Sequence, residues 1–528
     1  MTALLHDLPA FAATRTPDAV ALRYRTQELN YAALAGAVDT FAAAVIALGV
    51  ERQERIAIFL PKQFETVIAM FGATRAGCVF VPVNPILKGP QVQHILRDCN
   101  VRVLVTSPER LAGLGDALNH CPDLRHLIIV GGDAVNNHAH LELHAWNQLL
   151  AANSAFDAHH VIDMDMAAIL YTSGSTGKPK GVVLSHRNMV TGAHSVAQYL
   201  ENRANDRLLA VLPFSFDYGF SQLSTAFHVG ANVVLLDHLF PRDVVNAVAK
   251  ENVTGLAAVP PLWSQLADLQ WPDAAKQSLR YITNSGGAMP GATLQKLRVS
   301  LPNTQPFLMY GLTEAFRSTY LPPSEIDKRP GSMGKAIPNA EILVVRPDGS
   351  PCAANEPGEL VHRGSLVALG YWNDPVKTAE RYKPMPNQNP GLVLTEMAVW
   401  SGDTVRRDED GFLYFIGRRD EMIKTSGYRV SPSEIEEVIF ATGLVADAAA
   451  VGVTHPTLGQ AIVVVAAAAP DRKQDTESLL NECKKQLPPF MVPARIEWRD
   501  HLPRNPNGKY DRPKLAAELQ NSFLATTP

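Results

Sequence analysis

Residues 171–181 read YTSGSTGKPKG: five hydroxyl side chains, three glycines and two lysines in eleven positions, directly after the apolar run 166–170. Glycines at 174, 177 and 181 let the backbone turn its N–H groups toward an anion. Thr172, Ser173, Ser175 and Thr176 add hydroxyl donors, and Lys178 adds a full positive charge. Such a string fits a phosphate cradle better than a flexible linker. Its spacing is not the G-x-x-x-x-G-K-[ST] of a nucleotide-hydrolysing phosphate loop, so that class is disfavoured. Reactive side chains recur in MYGLTEA (309–315), in SGDTVRRDEDGFLYFIGRRDEMIKTSGYRVSPSEIE (401–436) and in NPNGKYDR (505–512). Taken singly, a Glu314 or a Lys509 is an ordinary solvated charge.

The elements that must position these segments are legible as alternating strands and helices. RIAIFL (55–60), CVFVPV (78–83), VRVLVTS (101–107) and HLIIVGG (126–132) read as buried strands, with helical patterns at 34–48 and 63–76. A second set runs through LLAVLPF (208–214), NVVLLD (232–237), GLAAVP (255–260) and YITNSGG (281–287). The alternation implies βαβ units with largely parallel sheets covered by helices. From about 330 onward, short strands split by Asp-Gly and Pro-Gly turns suggest an antiparallel unit. After Asp420 the pattern returns to a small α+β domain, where Ser431, Pro432 and Glu434 predict a capped helix start. The expected fold is α/β: a large N-terminal domain of two such sheets plus the antiparallel unit, then a small α+β C-terminal domain. No internal repeat or low-complexity segment is evident.

Composition narrows the partners. At 528 residues, two to four packing units are expected, and 46% hydrophobic with 19% charged residues is the texture of a globular chain. A formal charge of −4 leaves no footprint for nucleic acid or anionic membrane. Cys78, Cys99, Cys121, Cys352 and Cys483 are scattered and odd in number, and predict reduced, buried thiols. The N-terminus lacks a basic stretch followed by an apolar core, and the apolar run 461–469 is far short of a membrane span. A cytoplasmic protein acting on small molecules or acidic carriers is the expectation.

YTSGSTGKPKGVVLSH (171–186) resembles the phosphate-loop signature of the AMP-forming adenylating enzymes, a superfamily of acyl-CoA synthetases, peptide-synthetase adenylation domains and firefly-type luciferases. The other three segments follow in that superfamily's order, and the likeness runs from TPDAVALRYRTQELNYAAL (16–34) to Lys514. Among subfamilies, FSFDYG (214–219), GLTEAFRSTYLPP (311–323) and GRRDEMIKTSGYRVSP (417–432) resemble the AMP-forming acyl-CoA ligases of bacterial exosortase A systems.

The resemblance implies an ATP- and Mg²⁺-dependent activation of a carboxylic acid as acyl-AMP with release of pyrophosphate, followed by transfer to the pantetheine thiol of CoA or of a carrier protein. The loop Thr172, Ser173, Gly174, Ser175, Thr176, Gly177 and Lys178 would hold the β- and γ-phosphates. Thr313 would touch the α-phosphate, Glu314 would bind Mg²⁺, and Lys509 would bridge carboxylate and α-phosphate. Asp403, with Arg418 beside it, would accept from the ribose hydroxyls. Tyr310, Gly311 and the turn Ser285, Gly286, Gly287 and Ala288 would frame adenine. Residues 1–419 would form the AMP-binding domain and 420–528 a mobile domain turning about Asp420. That rotation would bring Lys424, Ser426, Gly427 and Arg429 to a thiol tunnel, for which the absence of a side chain at 427 is the physical requirement.

The acid is less legible. Candidates for the acyl pocket are Phe214, Asp217, Tyr218, Phe220, Trp263 and Arg317. Phe216-Asp217 resembles the Phe-Asp of peptide-synthetase adenylation domains, where that aspartate pairs with a substrate ammonium; a buried carboxylate needs such a partner. That favours an amino-bearing or polar acid, unless Arg317 is itself the partner. AGCVFVPVNPIL (76–87) and Leu312 look more like acyl-CoA ligases, and NGKYDR (507–512) more like the peptide-synthetase type. The alternatives are an enzyme charging a carrier with an amino acid, a luciferase-like oxygenase, and a degenerate nucleotide-binding scaffold, which would have lost Lys509 or Glu314.

Overall fold

The computed structural model describes residues 3–132, 140–151, 157–172, 179–418, 422–425, 428–455, 458–487, 489–506 and 508–523, and for Arg418, Lys424, Tyr428 and Arg429 the backbone alone. The apolar runs near the N-terminus form strands Arg55–Phe59, Val79–Pro82, Val101–Thr106 and His126–Ile129, with helices Tyr31–Ala47 and Phe64–Arg75 covering the two stretches of helical spacing. With Glu142–Ala145 these strands lie side by side and parallel in an eight-stranded sheet. Met166–Thr172 joins parallel to Val79–Pro82 and pairs antiparallel with Lys180–Ser185, so Thr172 faces Lys180 across the ladder.

A second sheet of fourteen strands carries Arg207–Ala210, Asn232–Leu235, Gly255–Ala258, Tyr281–Asn284 and Gln305–Tyr310 as parallel neighbours. Val20–Tyr24, not foreseen as a strand, adds to its edge parallel to Asn232–Leu235. The antiparallel unit forms as expected, as a continuation of this sheet: Thr319–Leu321, Ser332–Ala336, Leu413–Arg418, Met397–Arg407, Gly358–Gly364 and Ala340–Val345 follow edge to edge.

Helices Phe64–Arg75 and Asp217–Val229 weld the sheets into one apolar core. Phe220 lies 5.8 Å from Phe71 and 5.1 Å from Phe80, itself on the first sheet. Each fully buried aromatic ring contributes roughly 1.5–3 kcal/mol. All five cysteines are free and buried, as anticipated.

The C-terminal residues build a separate five-stranded sheet from Ile423–Thr425, Tyr428–Val430, Val445–His455, Gly459–Ala468 and Arg495–Trp498, with a core of its own around Ile435, Ile439, Val464 and Leu479. Pro432 opens the helix Pro432–Ala441 as expected, but the capping box does not form. The Ser431 hydroxyl is buried facing Gly417 on strand Leu413–Arg418 and makes no bond to the helix N–H groups. Among the described residues, no helix is long and apolar enough to cross a membrane.

Candidate functional site

Ligands of open parallel sheets bind beyond the carboxyl ends of the strands. Four adjacent parallel strands of the large sheet deliver the sequence candidates there. Arg207–Ala210 leads to Phe214 and Asp217, Gly255–Ala258 to Trp263, Tyr281–Asn284 to residues 285–288, and Gln305–Tyr310 to Gly311, Thr313, Glu314 and Arg317.

Asp217 is the first residue of its helix, and the next turn is packed so closely that a Cβ on Gly219 would stand 2.0 Å from the Pro213 carbonyl oxygen. The carboxylate accepts two side-chain hydrogen bonds, and its arginine partner is anchored in turn. Arg317 Nη1 donates to Oδ2 at 3.4 Å, Thr313 Oγ1 donates to Oδ1 at 3.2 Å, and Arg317 Nη2 donates to Ser221 Oγ at 3.0 Å. The Arg317 guanidinium also lies 4.5 Å from the centre of the Tyr218 ring. Burial pushes the Asp217 carboxyl above its usual range, while Arg317, then Lys509, pull it back. Asp217 therefore already has a cation. The expectation that it stands ready for a substrate ammonium gives way to a protein ion pair. Between Glu314 and Arg317 the backbone is strained: Phe316 sits at φ +55°, a region that bulky residues rarely adopt.

Glu314 is half-buried and accepts a hydrogen bond of 2.5 Å from the Tyr371 hydroxyl. Asp403 is buried and accepts from the Tyr310 hydroxyl, which ties the expected ribose contact to the expected adenine contact. Strand pairing sets Asp403 opposite Arg418.

Lys509 reaches this cluster from the C-terminal domain. Its loop is closed by bonds from Asn505 N to the Lys509 carbonyl (2.8 Å) and from Lys509 N to Asn505 Oδ1 (3.1 Å). Arg504 and Tyr510 both anchor on Asp447, Arg504 reaching both carboxylate oxygens at 2.8 Å. Asn84 Nδ2 of the large domain donates to the Pro506 carbonyl at 2.8 Å. The Lys509 ammonium lies 5.7 Å from the Phe216 ring centre, and its stem crosses Gly286, where a Cβ would meet Lys509 Cε at 3.1 Å. Gly286 also has φ +82°, open to glycine above all.

Lys509, Thr313, Glu314, Asp217, Arg317 and the 285–288 turn are thus brought together. Phe220 and Trp263 are not: Phe220 packs between Phe71 and Phe80, and the Trp263 indole donates to the Ala258 and Thr283 carbonyls at 3.0 and 3.1 Å. Phe214 is buried in the main core. Ser173, Gly174, Ser175, Thr176, Gly177, Lys178, Asp420, Ser426 and Gly427 lie outside the described residues, as do the side chains of Arg418, Lys424 and Arg429. Sequence reasoning missed Ser221 and Tyr371. Ser221 follows Asp217 by four, the helical spacing that sets two side chains on one face, and could have been found.

The model for AMP-binding enzymes matches residues 10–372, and that for the AMP-binding enzyme C-terminal domain matches 434–509. A linear gramicidin synthase protein of Brevibacillus parabrevis is 30% identical over 97% of this chain, which spans only 10% of that protein's length. Indoleacetate–CoA ligase of Aromatoleum aromaticum is 30% identical, covering 93% of this chain and 94% of that one. The L-proline–[L-prolyl-carrier protein] ligase of Pseudomonas fluorescens is 29% identical over 98% and 99% of the two chains. Among solved structures, the anthranilate CoA ligase AuaEII in complex with anthranoyl-AMP superposes with a TM-score of 0.88 at 24% identity, covering 99% of both chains. The O-succinylbenzoate coenzyme A synthetase of Bacillus subtilis, with ATP and magnesium, gives a TM-score of 0.80 at 26% identity, covering 96% of this chain and 98% of the other.

Proposed function

Since this chain belongs to the family of AMP-binding enzymes, we propose that it is an ATP-dependent carboxylic acid–CoA ligase working in two half-reactions from one site. The carboxylate of the acid attacks the α-phosphorus of ATP, a new C–O–P linkage forms, and pyrophosphate leaves. The thiol of CoA then attacks the activated carbonyl carbon, and AMP leaves as the thioester forms.

The difficulty of the first step is electrostatic, because an anion must approach a polyanion. Lys509 neutralises charge where carboxylate and α-phosphate meet, and the Thr313 hydroxyl turns from Asp217, to which it donates in this structure, to donate to the same phosphate. Residues 172–178 hold the departing phosphates. Glu314 suits a hard cation: a half-buried carboxylate offering oxygen alone is what Mg²⁺ prefers, shared with phosphate oxygens. When bound, that ion supplies positive charge to the leaving group. Asp403, oriented by the Tyr310 hydroxyl, accepts from the ribose. The second step calls for a different surface, so residues 421–528 turn about Asp420, withdraw Lys509 and present Lys424, Ser426, Gly427 and Arg429 to the thiol. The enzyme works in the cytoplasm, where ATP and CoA are supplied.

The ion pair between Asp217 and Arg317 carries the choice of an acyl- or aryl-CoA ligase over an amino-acid adenylating enzyme. An ammonium entering beside Asp217 would have to displace a buried guanidinium. The test is pyrophosphate release across fatty, aryl and amino acids, each with CoA, with holo-carrier protein, and with neither. A fatty or aryl acid turning over with CoA supports the reading. An amino acid responding only with the carrier overturns it in favour of carrier charging, for which the matching length of the prolyl-carrier ligase speaks.

A further inference from the structure

We propose that His126, Glu142 and His144 form a binding site for a divalent transition metal of the zinc class, at the edge of the eight-stranded sheet farthest from the strands that flank the phosphate loop. Strands His126–Ile129 and Glu142–Ala145 are parallel neighbours in which His126 stands opposite Glu142 and Ile128 opposite His144. Alternation along a strand puts Glu142 and His144, two residues apart, on one face, and the short distances to His126 show that it shares that face. His126 Nδ1 lies 3.2 Å from His144 Nε2 and 3.4 Å from Glu142 Oε2, and His144 Nε2 lies 3.8 Å from the same carboxylate oxygen.

Those separations are the edges of a coordination polyhedron. Nitrogen and oxygen donors at bonds of about 2.0–2.1 Å and tetrahedral angles stand roughly 3.3–3.4 Å apart. The three donors are therefore in place for one ion without movement of either strand. The Glu142 side chain is 71% exposed, so water can complete the shell. Of the cations nearby, Arg102 is turned to Glu54 at 2.6 Å and does not occupy the carboxylate. Two imidazoles and one carboxylate select Zn²⁺, Co²⁺ or Cu²⁺ over Mg²⁺.

Four strands separate Glu142–Ala145 from Met166–Thr172, so the ion would clamp the terminal strand to its neighbour and take no part in acid activation. The inference stands independently of the proposed reaction. Chelator-stripped protein, kept in Mg²⁺, is titrated with zinc chloride by calorimetry and with cobalt chloride by visible absorption. One zinc per chain is expected, with intense tetrahedral cobalt bands and a rise in Tm. Glu142→Gln, at an exposed position, should weaken both signals, and His144→Ala should abolish them while the metal-free Tm stays near that of the parent. Absence of saturable zinc binding overturns the proposal. So does zinc binding that persists undiminished in His144→Ala, which would place the ion on the cysteines or elsewhere.

Discussion

Arg317 and Asp217, one hundred residues apart in the chain, meet at 3.4 Å with side chains only 2% and 4% exposed. A buried pair of this kind is weak evidence for stability, since desolvating two charges offsets most of their attraction. Its consequence is local. It fixes the polarity at the start of the Asp217–Val229 helix, beside Thr313, and an acid entering there, as proposed, would meet a site already neutralised.

Removing one partner should cost far more than removing both. At pH 8, Arg317→Met should destabilise the large domain by about 3–5 kcal/mol, because Asp217 is left charged and buried. The loss should shrink toward pH 5, where a carboxyl already raised by burial can take a proton. The double variant Asp217→Asn with Arg317→Met should lose less than the sum of the singles. Guanidinium unfolding at the two pH values reads this directly, and simple additivity would count against a coupled pair.

Three buried histidines make the fold acid-sensitive. Burial pushes His6 down to about 4 and His186 and His362 down to about 3. Between those values and the unfolded value near 6.5, the unfolded chain binds protons that the folded chain does not. Stability is therefore complete above about pH 6.5 and falls as the pH drops, by about 2 kcal/mol per histidine at pH 5. His362 holds Ser318 through Nδ1 at 2.9 Å, next to Arg317. His362→Leu should show a shallower fall of Tm between pH 7 and pH 5 than the parent. An identical slope would mean that His362 does not contribute.

What was legible in the sequence follows the range of the forces involved. The strands at 55–60 and 126–132 and the helix at 63–76 announced themselves through local apolar spacing, whereas Lys509 stood out only through the likeness of NPNGKYDR (505–512) to a family motif. The Asp217–Arg317 pair was open as one of two readings, because whether two charges a hundred residues apart meet depends on how Gln305–Tyr310 and Arg207–Ala210 are ordered in the sheet. Strand Val20–Tyr24 was missed because only two of its five residues are buried and its neighbour Gln27–Asn30, the edge strand, buries none, so the apolar pattern is weak. The capping box at Ser431 failed because a local motif competes with tertiary packing, and here the hydroxyl is buried facing Gly417. His126, Glu142 and His144 show no metal-ligand spacing along the chain; strand register alone unites them.

Lys509→Ala should lower adenylate formation by roughly 10²–10³, the scale of losing one preorganised charge contact to a transition state. Thioester formation from supplied acyl-AMP should be spared if the proposed domain rotation withdraws the lysine in that step. Pyrophosphate exchange and acyl-AMP consumption measure the two halves separately. Equal loss of both would remove Lys509 from the specific role given to it.

Gly286→Ala tests the same lysine from the opposite side. The added Cβ would lie 3.1 Å from Lys509 Cε and 3.4 Å from Val259 Cγ1, on a backbone at φ +82°. The backbone cost is on the order of 1 kcal/mol, too small to unfold a domain of this size. The lysine stem must give way, so its ammonium shifts away from the position set by the Asn505 loop. A displacement on the order of 1 Å at a positioning group can cost up to about a hundredfold in rate. Pyrophosphate exchange should therefore fall while acyl transfer from supplied acyl-AMP stays near the parent, and Tm should change by only a few degrees. Combining Gly286→Ala with Lys509→Ala should add little to the loss from Lys509→Ala alone. Full additivity of the two defects in adenylation would show that Gly286 acts on the nucleotide directly and not through the lysine that crosses it.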